Sequence, residues 1–262
     1  MRSLALALMI VIASPARGTE PPVPLQYNLA VSATVTGAML LSVGILAIYQ
    51  PELLPAACRW CEPPAFDSAV RNALVWKEGA RTADTLSTVL DVAVPVSALT
   101  YLLLSASGAG DFNAGLVDSL LVTEAAAAAL LVNQVVKLLV GRQRPYARFG
   151  NDLGYAKGED NLSFYSGHTS LAFSVVAATV TVASMRGYAG AGILAGVGFT
   201  LGAGIGYLRI AADQHYLTDV VVGAVIGGLV GWAVPRIFHS PSPAPSTGPA
   251  LRAPAFAMTF AF

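Results

Sequence analysis

Apolar residues in this chain run in long blocks, and polar residues collect between them. Six blocks approach or exceed twenty residues: 29–49, 85–104, 116–140, 169–185, 189–210 and 220–238. Blocks of that length match helices that cross the roughly 30 Å hydrocarbon core of a bilayer. A helix satisfies its own backbone in lipid. The blocks do not alternate with period two, which disfavours a barrel. The pattern therefore predicts an all-α, multi-span transmembrane bundle of about six helices. The last two blocks are rich in glycine, as in the run GAGILAGVGFTLGAGIG at 190–206. Small residues of this kind let membrane helices approach closely.

The segments between blocks set the organisation. Residues 1–18 carry one Arg, an apolar run and then small residues, which reads as a secretory signal peptide. The other reading, a first membrane segment, has too few apolar residues to span. Residues 19–84 hold a Pro-rich linker, the first long block and a polar interlude. Residues 85–238 form the helical core. Residues 239–262 begin Pro/Ser-rich and read as a disordered extension. The only cysteines, Cys58 and Cys61, stand together as CRWC. Two cysteines do not make a structural zinc site, which wants four ligands. They form a local disulfide, if their loop faces an oxidising compartment, or two free thiols.

Composition sharpens this picture. Charged residues are 11% of the chain, against about 25% in an ordinary globular protein. Mean hydropathy is +0.63. So few charges cannot cover a water-facing surface, and a disordered chain or basic nucleic-acid binder is excluded. Net charge is zero, so no acidic polymer is implied as a partner. Each remaining ionisable group near the membrane needs a reason.

Three clusters of such groups lie where blocks end. In the first, Lys137 precedes Arg144-Pro145 by seven residues, which allows one helical face to carry both cations. In the second, Ser166-Gly167-His168 opens the fourth block. A helix start with a hydroxyl and free N–H groups suits an anion, although a capping Ser followed by an interfacial His explains it equally well. In the third, Arg209 is followed by His215 and Asp219, the last two spaced i, i+4. A carboxylate on one ring nitrogen frees the other to act as nucleophile or base. Alternating spans bring all three clusters to one membrane side. The set offers cations and N–H donors without an acidic metal cage, so its expected ligand is a phosphate group.

Lys137 with Arg144-Pro145, Ser166-Gly167-His168, and Arg209 with His215 and Asp219 together resemble the type 2 phosphatidic acid phosphatase family. That family's pattern is K-x6-RP, PSGH and SR-x5-H-x3-D. The resemblance covers roughly 85–238. Two positions depart from it: Tyr165 replaces Pro and Leu208 replaces Ser. The resemblance implies catalysis without metal or cofactor. His215 would form a phosphohistidine, Asp219 would hold its ring, and His168 would protonate the leaving oxygen and then activate water. Lys137, Arg144, Arg209, Ser166 and Gly167 would bind the phosphate oxygens.

The expected substrate is a membrane lipid phosphate or pyrophosphate, met at the headgroup layer. A lipid phosphotransferase and a vanadate-dependent haloperoxidase-like enzyme are the competing readings. The family resemblance places such a protein in the bacterial inner membrane with its site facing the periplasm. Parity agrees if all six blocks span and the N-terminus stays inside. It gives the cytoplasm if a signal is cleaved and 29–49 spans. The positive-inside rule also favours the cytoplasm, although two of the cations it counts, Arg144 and Arg209, are already explained by phosphate.

Overall fold

The computed structural model describes residues 21–54, 57–151, 155 and 159–242. The proposed signal segment and residues 243–262 lie outside it. Among the described residues the secondary structure is helical, with two isolated β-bridges and no strand. The elements are α1 (Leu29–Ile48), α2 (Gln50–Leu53), α3 (Ala65–Leu74), α4 (Ala80–Gly108), α5 (Phe112–Val140), α6 (Pro145–Arg148), α7 (Gly167–Arg186), α8 (Ala191–Ala211) and α9 (Leu217–Phe238). Six of them, α1, α4, α5, α7, α8 and α9, are long and apolar enough to cross a membrane. They correspond one to one with the six apolar blocks and extend some of them by up to five residues. The protein is a multi-span membrane helical bundle.

Helix ends follow local chemistry. Asp111 caps α5 by accepting from the Ala114 N–H at 2.9 Å. Gly141 ends α5 at φ 59°, in the left-handed region that glycine adopts without penalty. Pro145 opens α6, where its missing N–H costs nothing. Ser166 caps α7.

The most enclosed span, α7, packs on α9, α8, α5 and α4. Its contact with α9 is the most intimate. A Cβ placed on Gly223, Gly227 or Gly231 would lie 2.7, 2.2 and 2.2 Å from the backbone oxygens of Ser166, Ser170 and Ser174. Small residues at four-residue spacing on both helices thus bring backbone against backbone. The outward faces of α4 and α9 expose Val89, Val92, Val96, Val225, Leu229 and Trp232. In water such a face would be an aggregation surface, whereas acyl chains are its natural solvent. Two helices lie farther out. The first span, α1, rests on α5, and α3 lies against α8 and α9.

The two ends of the bundle differ. One gathers the C-termini of α1, α5 and α8 and the N-termini of α4, α7 and α9. The other is pinned by Arg186, whose guanidinium meets the fully buried Asp118 at 2.7 Å while Tyr188 donates to the same carboxylate at 2.8 Å. There residues 239–242 depart from the expected irregular tail. The Gln26 N–H donates to the Ser240 carbonyl, the Ser242 N–H donates to the Pro24 carbonyl, and His239 meets Glu124 at 3.2 Å. Backbone pairing with residues 24–26 holds this piece in place.

Candidate active site

A cavity of about 420 Å³ opens at the first of these ends. Lys137 of α5, Arg144 of the α5–α6 link, His168 of α7, Arg209 of α8 and His215 of the α8–α9 link all line it. Five of the eight predicted site residues therefore share one space, although they span 79 positions of sequence. Asp219 lies just behind, with Oδ2 3.6 Å from Nδ1 of His215. His215 is 1% exposed and Asp219 is fully buried. The ring's Nδ1 edge faces the carboxylate, which turns Nε2 away from it.

Ser166 and Gly167 occupy different positions from the five. The Ser166 hydroxyl is fully buried and engaged in capping. It accepts from the Thr169 N–H at 3.4 Å and lies 2.9 Å from the Thr169 hydroxyl. It does not line the cavity. Gly167 stands at the first position of α7, and a Cβ there would meet Asn133 Oδ1 at 2.9 Å and Lys137 Nζ at 3.5 Å. A side chain here would crowd the Asn133 amide and the Lys137 ammonium. The N–H groups of that first turn have no partner within the helix itself. The two departures from the family pattern read differently. Tyr165 is buried, and its carbonyl accepts from the Asn133 side chain at 2.8 Å. Leu208 packs with Ala83, Ala211 and Ala212 away from the cavity.

Two of the three cations have carboxylate partners. Arg209 meets Asp84 at 2.5 Å and Ser87 at 3.1 Å. Arg144 meets Glu159 at 3.0 Å and also donates to the Gln214 side chain. No ion pair involves Lys137 among the described residues. His168 approaches Asp91 of α4, with Nε2 to Oδ2 at 3.9 Å. Burial pushes the His215 imidazole well below its usual 6.5, and the charges of Arg144, Arg209 and Lys137 push it the same way. The ring is held neutral, the state a nucleophile needs.

The acidic partners Asp84, Asp91 and Glu159 are neighbours of the candidate site that motif reading passed over. For the first two, the available signal was a carboxylate in or beside an apolar block. Arg142 was visible as a third basic residue beside Lys137 and Arg144. It reaches Asp219 Oδ1 at 2.5 Å. The polar interlude also contributes. Cys58 and Cys61 are joined in a disulfide, and Arg71 of α3 is paired with Asp213 two positions before His215. Among the described residues no group of three His, Cys, Asp or Glu could hold a metal ion.

Residues 118–242 match the model of the PAP2 superfamily, a segment that contains all eight predicted site residues. A solved structure described as the first transmembrane PAP2 type phosphatidylglycerolphosphate phosphatase from Bacillus subtilis is 18% identical and matches with a TM-score of 0.38. The match spans 89% of this chain and 92% of that one. Backbone agreement of that order carries no detail across. No curated protein matches the chain.

Proposed function

From the match of residues 118–242 to the PAP2 superfamily model, we propose that the protein is a membrane phosphatase that hydrolyses a lipid phosphate or pyrophosphate at one face of the bilayer. The observation that carries the reading is the convergence of two imidazoles, His168 and His215, and four cations, Arg81, Lys137, Arg144 and Arg209, in one cavity at a bundle end. Polar groups at that depth meet headgroups, and a positive lining suits the charge that develops on a transferring phosphoryl group.

The reaction divides into two displacements. Nε2 of His215 attacks phosphorus, the phosphorus–oxygen bond to the lipid breaks, and His168 gives its proton to the departing oxygen. His168 then takes a proton from water, whose oxygen attacks the phosphohistidine. The phosphorus–nitrogen bond breaks and inorganic phosphate leaves. Asp219, on the Nδ1 side, orients the ring and offsets its positive charge. Lys137, Arg144 and Arg209 hold the non-bridging oxygens. Gly167 offers its N–H at the start of α7, and Ser166 shapes that turn. No step needs a metal or cofactor. The setting is a bacterial inner membrane, with the cavity on the periplasmic side.

The test is phosphate release in detergent from phosphatidic acid, phosphatidylglycerol phosphate and undecaprenyl pyrophosphate, with EDTA in excess. Turnover is expected with at least one of them, and His215→Ala is expected to abolish it while leaving a folded, membrane-bound protein. Activity lost in EDTA and restored by a divalent metal would overturn the metal-free mechanism.

A further inference from the structure

Arg142 is nearly fully buried, yet it does not line the cavity. Its guanidinium lies between two carboxylates. Nη1 donates to Asp219 Oδ1 at 2.5 Å and to the Thr218 hydroxyl at 2.7 Å, and Nη2 donates to Asp67 Oδ2 at 2.7 Å. Its flat faces are covered too, with the Trp60 ring centroid at 3.9 Å and the Tyr216 centroid at 4.3 Å. A planar fork stacked between rings has one orientation available, which a lysine ammonium could not reproduce.

The covering residue belongs to the CRWC loop. Trp60 lies inside the ring closed by Cys58 and Cys61. That loop runs beside the Arg142 backbone. Arg59 and Trp60 N–H groups donate to the Gly141 carbonyl at 2.9 and 3.4 Å, and the Gln143 N–H donates to the Trp60 carbonyl at 3.1 Å. Asp67 completes the frame from α3. Its Oδ1 accepts from the Thr218 N–H at 3.0 Å and its Oδ2 from the Thr218 hydroxyl at 2.6 Å.

On the other side of Asp219, Oδ2 accepts from the Ser163 hydroxyl at 2.5 Å and the Tyr216 N–H at 2.9 Å, and faces His215. Among the described residues Arg142 is the one Arg or Lys paired with this carboxylate. Without it, a fully buried anion would lose its counter-charge beside a ring that must keep its angle. Asp67, Arg142 and Asp219 together carry one net negative charge, which matches the positive charge that grows on His215 during transfer.

We infer that Arg142 is a positioning residue that sets the geometry of Asp219 and through it His215, and that the disulfide-closed CRWC loop holds Arg142 in place through Trp60. The inference rests on the proposed phosphatase reading. The experiment uses full-length protein in detergent with dioctanoyl phosphatidic acid, or whichever lipid of the phosphate-release panel turns over fastest. It compares wild type, Arg142→Gln, Arg142→Lys, Trp60→Ala and Asp219→Asn, with each Arg142 variant also made on the Asp219→Asn background.

Arg142→Gln is expected to lower kcat by about 10²-fold or more, with KM within about threefold. Loss of an orienting carboxylate in a catalytic triad, at about 10⁴-fold, sets the upper scale. Arg142→Lys recovers part of that loss, and Trp60→Ala lowers kcat by about tenfold with Arg142 still present. On the Asp219→Asn background the Arg142→Gln loss shrinks to within about threefold, because residues acting through one another are not additive. Should Arg142→Gln fail to fold, Arg142→Lys is read through the same cycle. An unchanged kcat, a loss confined to KM, or the same fold-loss on both backgrounds overturns the inference. Wild-type protein that releases no phosphate from any lipid of the panel overturns the phosphatase reading instead.

Discussion

His215 shows how one side chain inherits its chemistry from its surroundings. Enclosure and three nearby cations keep its ring neutral, well below 6.5. The unfolded chain has no such environment, so its imidazole takes a proton near 6.5 while the folded ring resists. Folding stability is therefore unpenalised above that pH and is lost as pH falls below it, by at most about 1.4 kcal/mol per unit from this ring. Thermal midpoints in detergent at pH 7 and pH 5.5 should show this. The wild type is expected to lose more stability than His215→Asn, which has no proton to take up. His168 and His239 are common to both proteins, so the comparison isolates position 215. Equal losses in the two would mean that the ring is not held neutral. The spacing of His215 from Asp219 was readable in the sequence. The enclosure was not, because it depends on Lys137, Arg144, Ser163 and Arg209, which other segments supply.

At the scale of elements, the spans were legible because a bilayer sets both their length and their composition. Their extra turns were not, since residues 80–84 carry Arg81, Thr82 and Asp84, and residues 105–115 are glycine-rich enough to read as a turn. The α7–α9 contact was half legible. Glycine enrichment foretold close approach, but only the structure pairs Gly223, Gly227 and Gly231 with Ser166, Ser170 and Ser174. Gly227→Ala pushes a methyl against the Ser170 carbonyl and is expected to destabilise the bundle by about 1–3 kcal/mol. Gly228→Ala is the control, because a Cβ there meets nothing within 4 Å, and it should stay within about 0.5 kcal/mol. Thermal unfolding of the two variants in one detergent checks the contrast. Similar midpoints would mean that α9 is not seated against the α7 backbone.

Over the whole molecule, the polar stretch before α4 packs against the segments that carry the candidate site. Asp67 and Arg71, one turn apart on α3, reach the α9 N-terminus and the His215 loop. Short polar segments carry no periodicity, and a contact such as Arg71 with Asp213 joins residues 142 positions apart. No local reading could pair them. All six spans alternate, which leaves two orientations open, and the proposed periplasmic site selects one. Alkaline phosphatase fused after Gly150, on the cavity side, should be active, and the same fusion after Gly110, on the opposite side, inactive. The reverse result would place the cavity in the cytoplasm.

The carboxylates beside Arg144 and Arg209 have a consequence for selectivity. Glu159 and Asp84 already hold these guanidinium groups, so on the proposed reading a phosphate headgroup competes with a resident anion at each. A singly charged visitor, such as a phosphodiester, gains little from that exchange. A terminal phosphate carries a second negative charge and is worth the swap. The acidic pair would then act as a doorkeeper, turning away the bulk lipids of the membrane and admitting the rare ones that end in phosphate.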